Sequence, residues 1–405
     1  MSSAFVTTKS RKPELLPPPP PLPEPPPPRG KRRKAWWARL LVAAGTLLVL
    51  TSGGVMIAVK VALDRAVSSV TQVEIPSDPE NTSVVPEGRA LTGTLNILLV
   101  GVDDGQAVGG ELRKDTPLAD SIMILHVPPS RDRAYLVSLP RDLWVRIPGH
   151  GSGKLNSAYT DGHREAKAGN GRAGGLDLLM RTISGELGIV FNAAAIVNFT
   201  GFTKAVNLLG GVTMYIDERV ESVHYGTTAD GQLCYPARFD SEYHAHKRPG
   251  CTPRVFERGT RRLTAEEALD YTRQREWLEL EDGDYGRQRH QQQFIKALVR
   301  EARLQGLTTD LPKALRLIES VGSALTVWTN GVKLEDWFFT LKDLAAGDIF
   351  MVKTNRGAYN PAPISGTAAE ALSEDSRQMF AALRDNRIHE WLVDHPDWLG
   401  SEQGY

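Results

Sequence analysis

Residues 118–142 read "LADSIMILHVPPSRDRAYLVSLPRD". Two apolar runs, "SIMILHV" (121–127) and "AYLVSL" (134–139), are each stopped by proline. Runs of this length between breakers read as buried strands. The link "PPSRDR" is short enough to make them antiparallel neighbours. A third run upstream, "TLNILLV" (94–100), stops at Gly101. With that strand also antiparallel to the second, the end of the first, the start of the second and the end of the third share one sheet edge. Asp103, Asp104, Asp120, Arg141 and Asp142 converge there.

Helical periodicity follows. "GGLDLLMRTISGELG" (174–188) is amphipathic with a glycine stop, and "NFTGFTKAVNLLGG" (198–211) ends in a Gly pair, as helix C-termini do. "TAEEALDYTRQR" (264–275) opens with Thr264 and has Glu267 three residues on, a capping box. "RQRHQQQFIKALVREARL" (287–304) is a longer helix. Strands alternating with helices predict a layered α/β body.

The long helix raises the chemical question. Gly286 precedes it, which puts Arg287 in the first turn. Arg287, Gln291, Phe294, Ile295 and Leu298 share one face. The apolar members point at the core, so Arg287 and Gln291 point inward too. An inward arginine at a helix start asks for an anion, and its fork matches phosphate oxygens. For one arginine alone, a core salt bridge to Asp282 or Asp284 explains as much. Arg273, Arg275 and Arg287 together, beside Arg141, favour phosphate. Asp103 and Asp120 form a carboxylate pair that needs a cation, and oxygen donors beside phosphate suit Mg²⁺, with Mn²⁺ as substitute. Ordinary turn chemistry is the alternative for those acids.

Composition narrows the classes. The 405 residues hold 48 Lys+Arg and 48 Asp+Glu. Residues 1–60 carry ten of the basic residues and two acids, so that segment is +8 and the remainder −8. An acidic body is a poor partner for nucleic acid. Residues 13–28 contain eleven prolines, the signature of polyproline II or disorder. Basic "RGKRRK" (29–34), then Trp36 and Trp37, precede Leu40–Val59, 20 residues without a charge. That is the length of a bilayer-spanning helix, with the positive side in the cytoplasm and the body outside. A long preamble and a 20-residue apolar run argue against a cleaved signal peptide. After the anchor, "PSDPENTSVVPEG" lacks apolar periodicity and reads as a stalk. In an exported body, Cys234 and Cys251 are able to pair, closing a loop worth roughly 3 kcal/mol. A buried free pair is the alternative, and two thiols alone rarely close a metal site.

"NILLVGVDD", "ADSIMILHV", "VSLPRDLWVRIPGHG", "GKLNSAY", "GFTKAVNLLGGV", "RLTAEEALDYTRQR" and "GDYGRQRHQQQFIKAL", in this order, resemble the LytR–CpsA–Psr family over about residues 92–300. The resemblance implies an α-β-α sandwich with an apolar tunnel. It also implies a Mg²⁺-dependent phosphotransferase moving a glycopolymer phosphate from a polyprenyl-diphosphate carrier to peptidoglycan. The acceptor is the C6 hydroxyl of N-acetylmuramic acid and the product a phosphodiester. Carried across, Asp103 and Asp120 are the metal carboxylates and Arg141, Arg273, Arg275, Arg287 and Gln291 the diphosphate clamp. Asp103, Asp120, Arg141, Arg275 and Arg287 are the expected catalytic residues. One position departs from the family pattern: Leu118 stands where an arginine is usual, with Arg113 or Lys114 as substitutes. Without transfer, the same clamp would make a polyprenyl-diphosphate binder or pyrophosphatase, or a membrane-anchored envelope regulator.

The expected layout is a cytoplasmic proline-rich basic tail (1–35), a transmembrane anchor (36–60), a stalk (61–90), an extracellular catalytic domain (91–350) and its helical completion (351–405). The expected location is the plasma membrane, single-pass. The partners are the polyprenyl-diphosphate-linked glycopolymer, peptidoglycan and membrane lipid, and no nucleic acid.

Overall fold

The computed structural model describes residues 60–75, 91–103, 117–240, 244–307, 309–341, 344 and 348–400. The tail, the Leu40–Val59 anchor, Asp104, Arg113 and Lys114 lie outside them. Among the described residues no helix is long and apolar enough to cross a membrane.

The principal sheet has seven strands, numbered in chain order: β1 (Thr71–Gln72), β2 (Leu95–Asp103), β3 (Leu118–Val127), β4 (Arg133–Leu139), β5 (Ala193–Asn198), β6 (Leu325–Trp328) and β7 (Asp348–Val352). Their order is β1-β6-β5-β2-β3-β4-β7. β2, β3 and β4 pair antiparallel, as the three apolar runs predict. β5 lies parallel to β2. The "AAAIVN" of β5 gave no strand signal, because alanine carries little β preference.

Helices cover both faces, the α-β-α arrangement expected. They are α1 (residues 60–69), α2 (Leu155–Glu165), α3 (Gly171–Leu187), α4 (Phe199–Leu208), α5 (Ala265–Arg273), α6 (Asp284–Leu304), α7 (Leu311–Val321), α8 (Leu334–Leu341), α9 (Glu374–Arg384) and α10 (Ile388–Asp394). The two-residue alternation of a strand assigns the faces. Leu98, Val100, Ile122, Ile124 and Val137 pack against α2, α3 and α9. Met123 and Leu136, with Leu99 and Leu125 beside them, meet Ile295 and Val299 of α6. Helix signals hold well. Gly188 ends α3 in the left-handed conformation at φ 67°, and Thr264 and Glu267 close the capping box of α5.

Three boundaries move. Residues 60–69 are helical and β1 joins the sheet edge beside β6, so the ordered body begins within the expected stalk. β7 runs across the division drawn at 350/351 and pairs with β4, so the C-terminal helices complete one domain with the strand. α6 starts at Asp284, not after Gly286. Gly286 is no stop. A Cβ there would sit 2.4 Å from Leu278 and 2.3 Å from Asp282, so glycine lets the 278–282 loop lie on the helix.

Candidate functional site

The sheet edge gathers what the strand order predicts. Asp103 ends β2 opposite Leu118. The ladder slips between Gly101 and Val102, which face Ser121 and Ala119, leaving Asp120 as the extra residue of a β-bulge. Bulges re-aim a side chain, and they concentrate beside active sites. Arg141 follows β4 and donates to Asp120 Oδ1 at 2.5 Å. Arg273 is the last residue of α5, and Arg275 follows its cap. Cations there complement the helix dipole.

Arg287 lies one turn into α6, with its N–H bonded to Gly283. The helix-start part of the anion argument therefore does not apply to it, but the inward direction does. The residue is 6% exposed, and its guanidinium meets Asp284 at 2.6 Å and donates to the Asp120 carbonyl at 3.1 Å. The ion pair with Asp284 and the cavity-facing role coexist. Gln291, one turn on, donates to Thr272 O and ties α6 to α5.

These residues share one cavity of about 840 Å³. One end is charged: Arg141, Lys154, Arg273, Arg275 and Arg287 outnumber Asp103, Asp120 and Asp142. The other end is apolar, walled by Met123, Phe202, Ala205, Phe294, Leu298 and Val321. Leu298 is eleven residues beyond Arg287 on α6, about 16 Å at helical rise.

Burial sets the charge states. It opposes ionisation of Asp284, but Arg287 and Arg141 hold that carboxyl below its ordinary value. Burial also disfavours the charge on Arg141, and Asp284, Asp120 and Asp142 more than offset it. The Arg287 guanidinium is pressed below its usual value by burial. Among the described residues, Nε of Arg141 and Nε of Arg287 are buried donors without a hydrogen bond. Such groups are costly unless an acceptor reaches them. The donor set fits a hard cation: Asp103 and Asp120 offer only carboxylate oxygen, from adjacent strands.

The four arginines of the 273–289 region divide. Arg289, two residues from Arg287, points to another side of α6. There it meets Asp217 at 2.7 Å and also contacts Glu218 and Asp282. His290 stands 3.0 Å from Glu218. The ligand atoms of Asp217, Glu218 and His290 lie within 4.8 Å of one another, but the guanidinium already holds both acids.

Sequence reading left Lys154 and Asp284 unassigned to the site. Lys154 sits in "GKLNSAY" and meets Asp142 at 2.8 Å. The i, i+3 spacing of Asp284 to Arg287 was the available signal. Cys234 and Cys251 form a disulfide. His244 and His246 are exposed and pair with Asp240, and His246 sits on a surface hairpin of Ala237–Phe239 with Ala245–Lys247.

The sequence profile of the LytR_cpsA_psr family matches residues 57–333. The chain belongs to this family. One LytR–CpsA–Psr relative is the polyisoprenyl-teichoic acid–peptidoglycan teichoic acid transferase TagU of Oceanobacillus iheyensis. It is 26% identical over 278 residues, covering 68% of this chain and 71% of that one. Regulatory protein MsrR of Staphylococcus aureus is 29% identical over 228 residues, covering 56% of this chain. The match spans only about half of MsrR, 54% of its length. The fold is that of TagT bound to LIIa-WTA, with TM-score 0.52 and 20% identity over 78% of this chain and 98% of that one.

Proposed function

We propose that the protein is a phosphotransferase taking a glycopolymer phosphate from a polyprenyl-diphosphate carrier to peptidoglycan. The acceptor is the C6 hydroxyl of N-acetylmuramic acid. The observation that carries this reading is the cavity: one space joins an arginine-rich end to an apolar end, as a diphosphate on a long lipid requires. TagU, whose name states a polyisoprenyl-linked donor and a peptidoglycan acceptor, supports the same substrate pair.

In this reading Arg141, Arg273, Arg275 and Arg287 hold the diphosphate oxygens, with Gln291 beside them. The acceptor hydroxyl oxygen bonds to the phosphorus carrying the glycan, the bond from that phosphorus to the bridging oxygen breaks, and the hydroxyl proton goes to the departing phosphate. Polyprenyl phosphate leaves. The arginines are preorganised around charge that grows in the transition state, and this is the main demand of phosphoryl transfer. Asp103 and Asp120 would hold Mg²⁺, which supplies charge neutralisation at the phosphate oxygens when bound. Mn²⁺ serves the same oxygen donors. The apolar wall keeps water from the lipid end. In this reading the uncharged Leu40–Val59 run is a single plasma-membrane anchor, with the tail cytoplasmic and the domain outside.

A second reading draws on Leu118, which lines the cavity and supplies no phosphate contact. It gives a lipid-diphosphate binder or pyrophosphatase, or an envelope regulator without transfer. One experiment separates them: full-length protein in detergent with a polyprenyl-diphosphate glycan and Mg²⁺, with and without a peptidoglycan oligomer. Acceptor-dependent phosphodiester product, abolished by chelator, is the expected result. Diphosphate cleavage indifferent to acceptor would replace transfer with hydrolysis, and binding without turnover would leave a binder.

A further inference from the structure

A polar network beside the cavity has no task in holding diphosphate. It is centred on the strand Val220–Thr227, whose ladder with Thr252–Phe256 is broken between Pro253 and Val255. At the break, Ser222 Oγ accepts from the N–H groups of His224 and Tyr225 at 3.0 and 2.9 Å. The turn aims the His224 ring into the cavity.

The ring is fixed from behind. Gln274, fully buried between Arg273 and Arg275 in sequence, accepts from Val223 N–H through its carbonyl at 3.0 Å. Its amide nitrogen donates one proton to Asp270 Oδ1 at 2.5 Å, with Asp270 O 3.0 Å away. The amide orientation is thereby set, and the second Nε2 proton goes to His224 Nδ1 at 2.9 Å, closer to that ring nitrogen than Asp270 Oδ1 at 3.4 Å. An Nδ1 that accepts puts the ring proton on Nε2. The Nε2–H is the side of the ring left for the cavity. Phe239, 46% exposed, also lines this cavity. It lies on a hairpin held to the body by Trp277 Nε1 donating to Ala245 O at 3.2 Å.

We infer that His224 is a glycan-recognition residue, donating from Nε2 to the sugar nearest the diphosphate, with the Phe239 ring as an apolar platform for that sugar. This rests on the lipid-diphosphate reading above. Phosphate is already served by five cations in the cavity. An orientation-fixed ring donor adds little to that anion binding but distinguishes hydroxyl and amide groups, which arginine forks contact without selectivity. Sites built to hydrogen-bond a substrate group discriminate strongly against analogues lacking it.

The test uses the full chain in detergent micelles and two probes. One is a polyprenyl diphosphate bearing a single N-acetylhexosamine, the other the same lipid diphosphate without sugar. His224→Phe should weaken binding of the sugar-bearing probe about five- to tenfold, the worth of one neutral hydrogen bond. It should leave the sugarless probe within twofold of wild type. His224→Gln, which keeps an N–H donor, should recover most of the loss. Equal losses on both probes, no loss on either, or a Gln variant as weak as Phe would overturn the assignment. Wild type binding neither probe would remove the lipid-diphosphate reading and this inference together. Wild type binding both, with the variants unchanged, would sink His224 alone.

Discussion

Replacing Arg287 with methionine separates its two tasks. The side chain is nearly enclosed and pairs with the buried Asp284 at 2.6 Å. Removing one partner of a buried ion pair costs about 3–5 kcal/mol. Arg141 remains 3.6 Å from Asp284, so the lower end, about 3 kcal/mol, is expected. Adding Asp284→Asn removes the stranded charge, so the double variant should regain about 2 kcal/mol of that loss. Substrate binding should not recover with it. A charge-assisted hydrogen bond to phosphate is worth about 1.5–3 kcal/mol, hence about 10- to 150-fold in affinity. Chemical unfolding of the full chain followed by tryptophan fluorescence gives the first quantity, and titration with polyprenyl diphosphate the second. A double variant that binds lipid diphosphate as tightly as wild type would refute the clamp assignment. A single variant as stable as wild type would refute the buried pair.

Three further outcomes are expected. Glu370 is buried, and that burial pushes its carboxyl up to about 7, from an ordinary value near 4.5. The folded state therefore binds the extra proton: the stability this carboxyl contributes is full below pH 4.5 and is lost as pH rises to about 7, by roughly 3 kcal/mol. Glu370→Gln keeps an oxygen for Tyr285 Oη, now 2.5 Å away, and should flatten that fall, so unfolding curves at pH 5 and pH 8 should converge for the variant and diverge for wild type. Cys234→Ser with Cys251→Ser opens a cross-link of sequence separation 17, and the melting temperature should drop by the equivalent of roughly 3 kcal/mol. Wild type under reductant should fall to the same value.

Much of this site was legible in the sequence, for physical reasons that can be named. Apolar runs stopped by glycine or proline specified β2, β3 and β4 and their antiparallel order, and that order alone placed Asp103, Asp120 and Arg141 on one edge. The apolar face of α6 carried Arg287 and Gln291 inward because Phe294, Ile295 and Leu298 must be buried. What failed was the reading of glycine. Gly286 looks like a helix boundary but is a packing contact. The bulge that aims Asp120 has no local signal, since it depends on register between two strands. His224 and Gln274 are fifty residues apart in the chain, and only tertiary folding puts imidazole and amide at 2.9 Å. Glu370 is hidden for the same reason, meeting Tyr285 from a region without periodicity.

The central claim is that one cavity holds the diphosphate at its charged end and the lipid at its apolar end. A polyprenyl diphosphate with a photoreactive group near the middle of its chain, irradiated on the full protein and mapped by mass spectrometry, tests it most directly. Labels on α4 and α6, at residues such as Phe202 and Leu298, are the result predicted. Labels instead around the second cavity of about 370 Å³, beside Lys353 and Arg356, would contradict it.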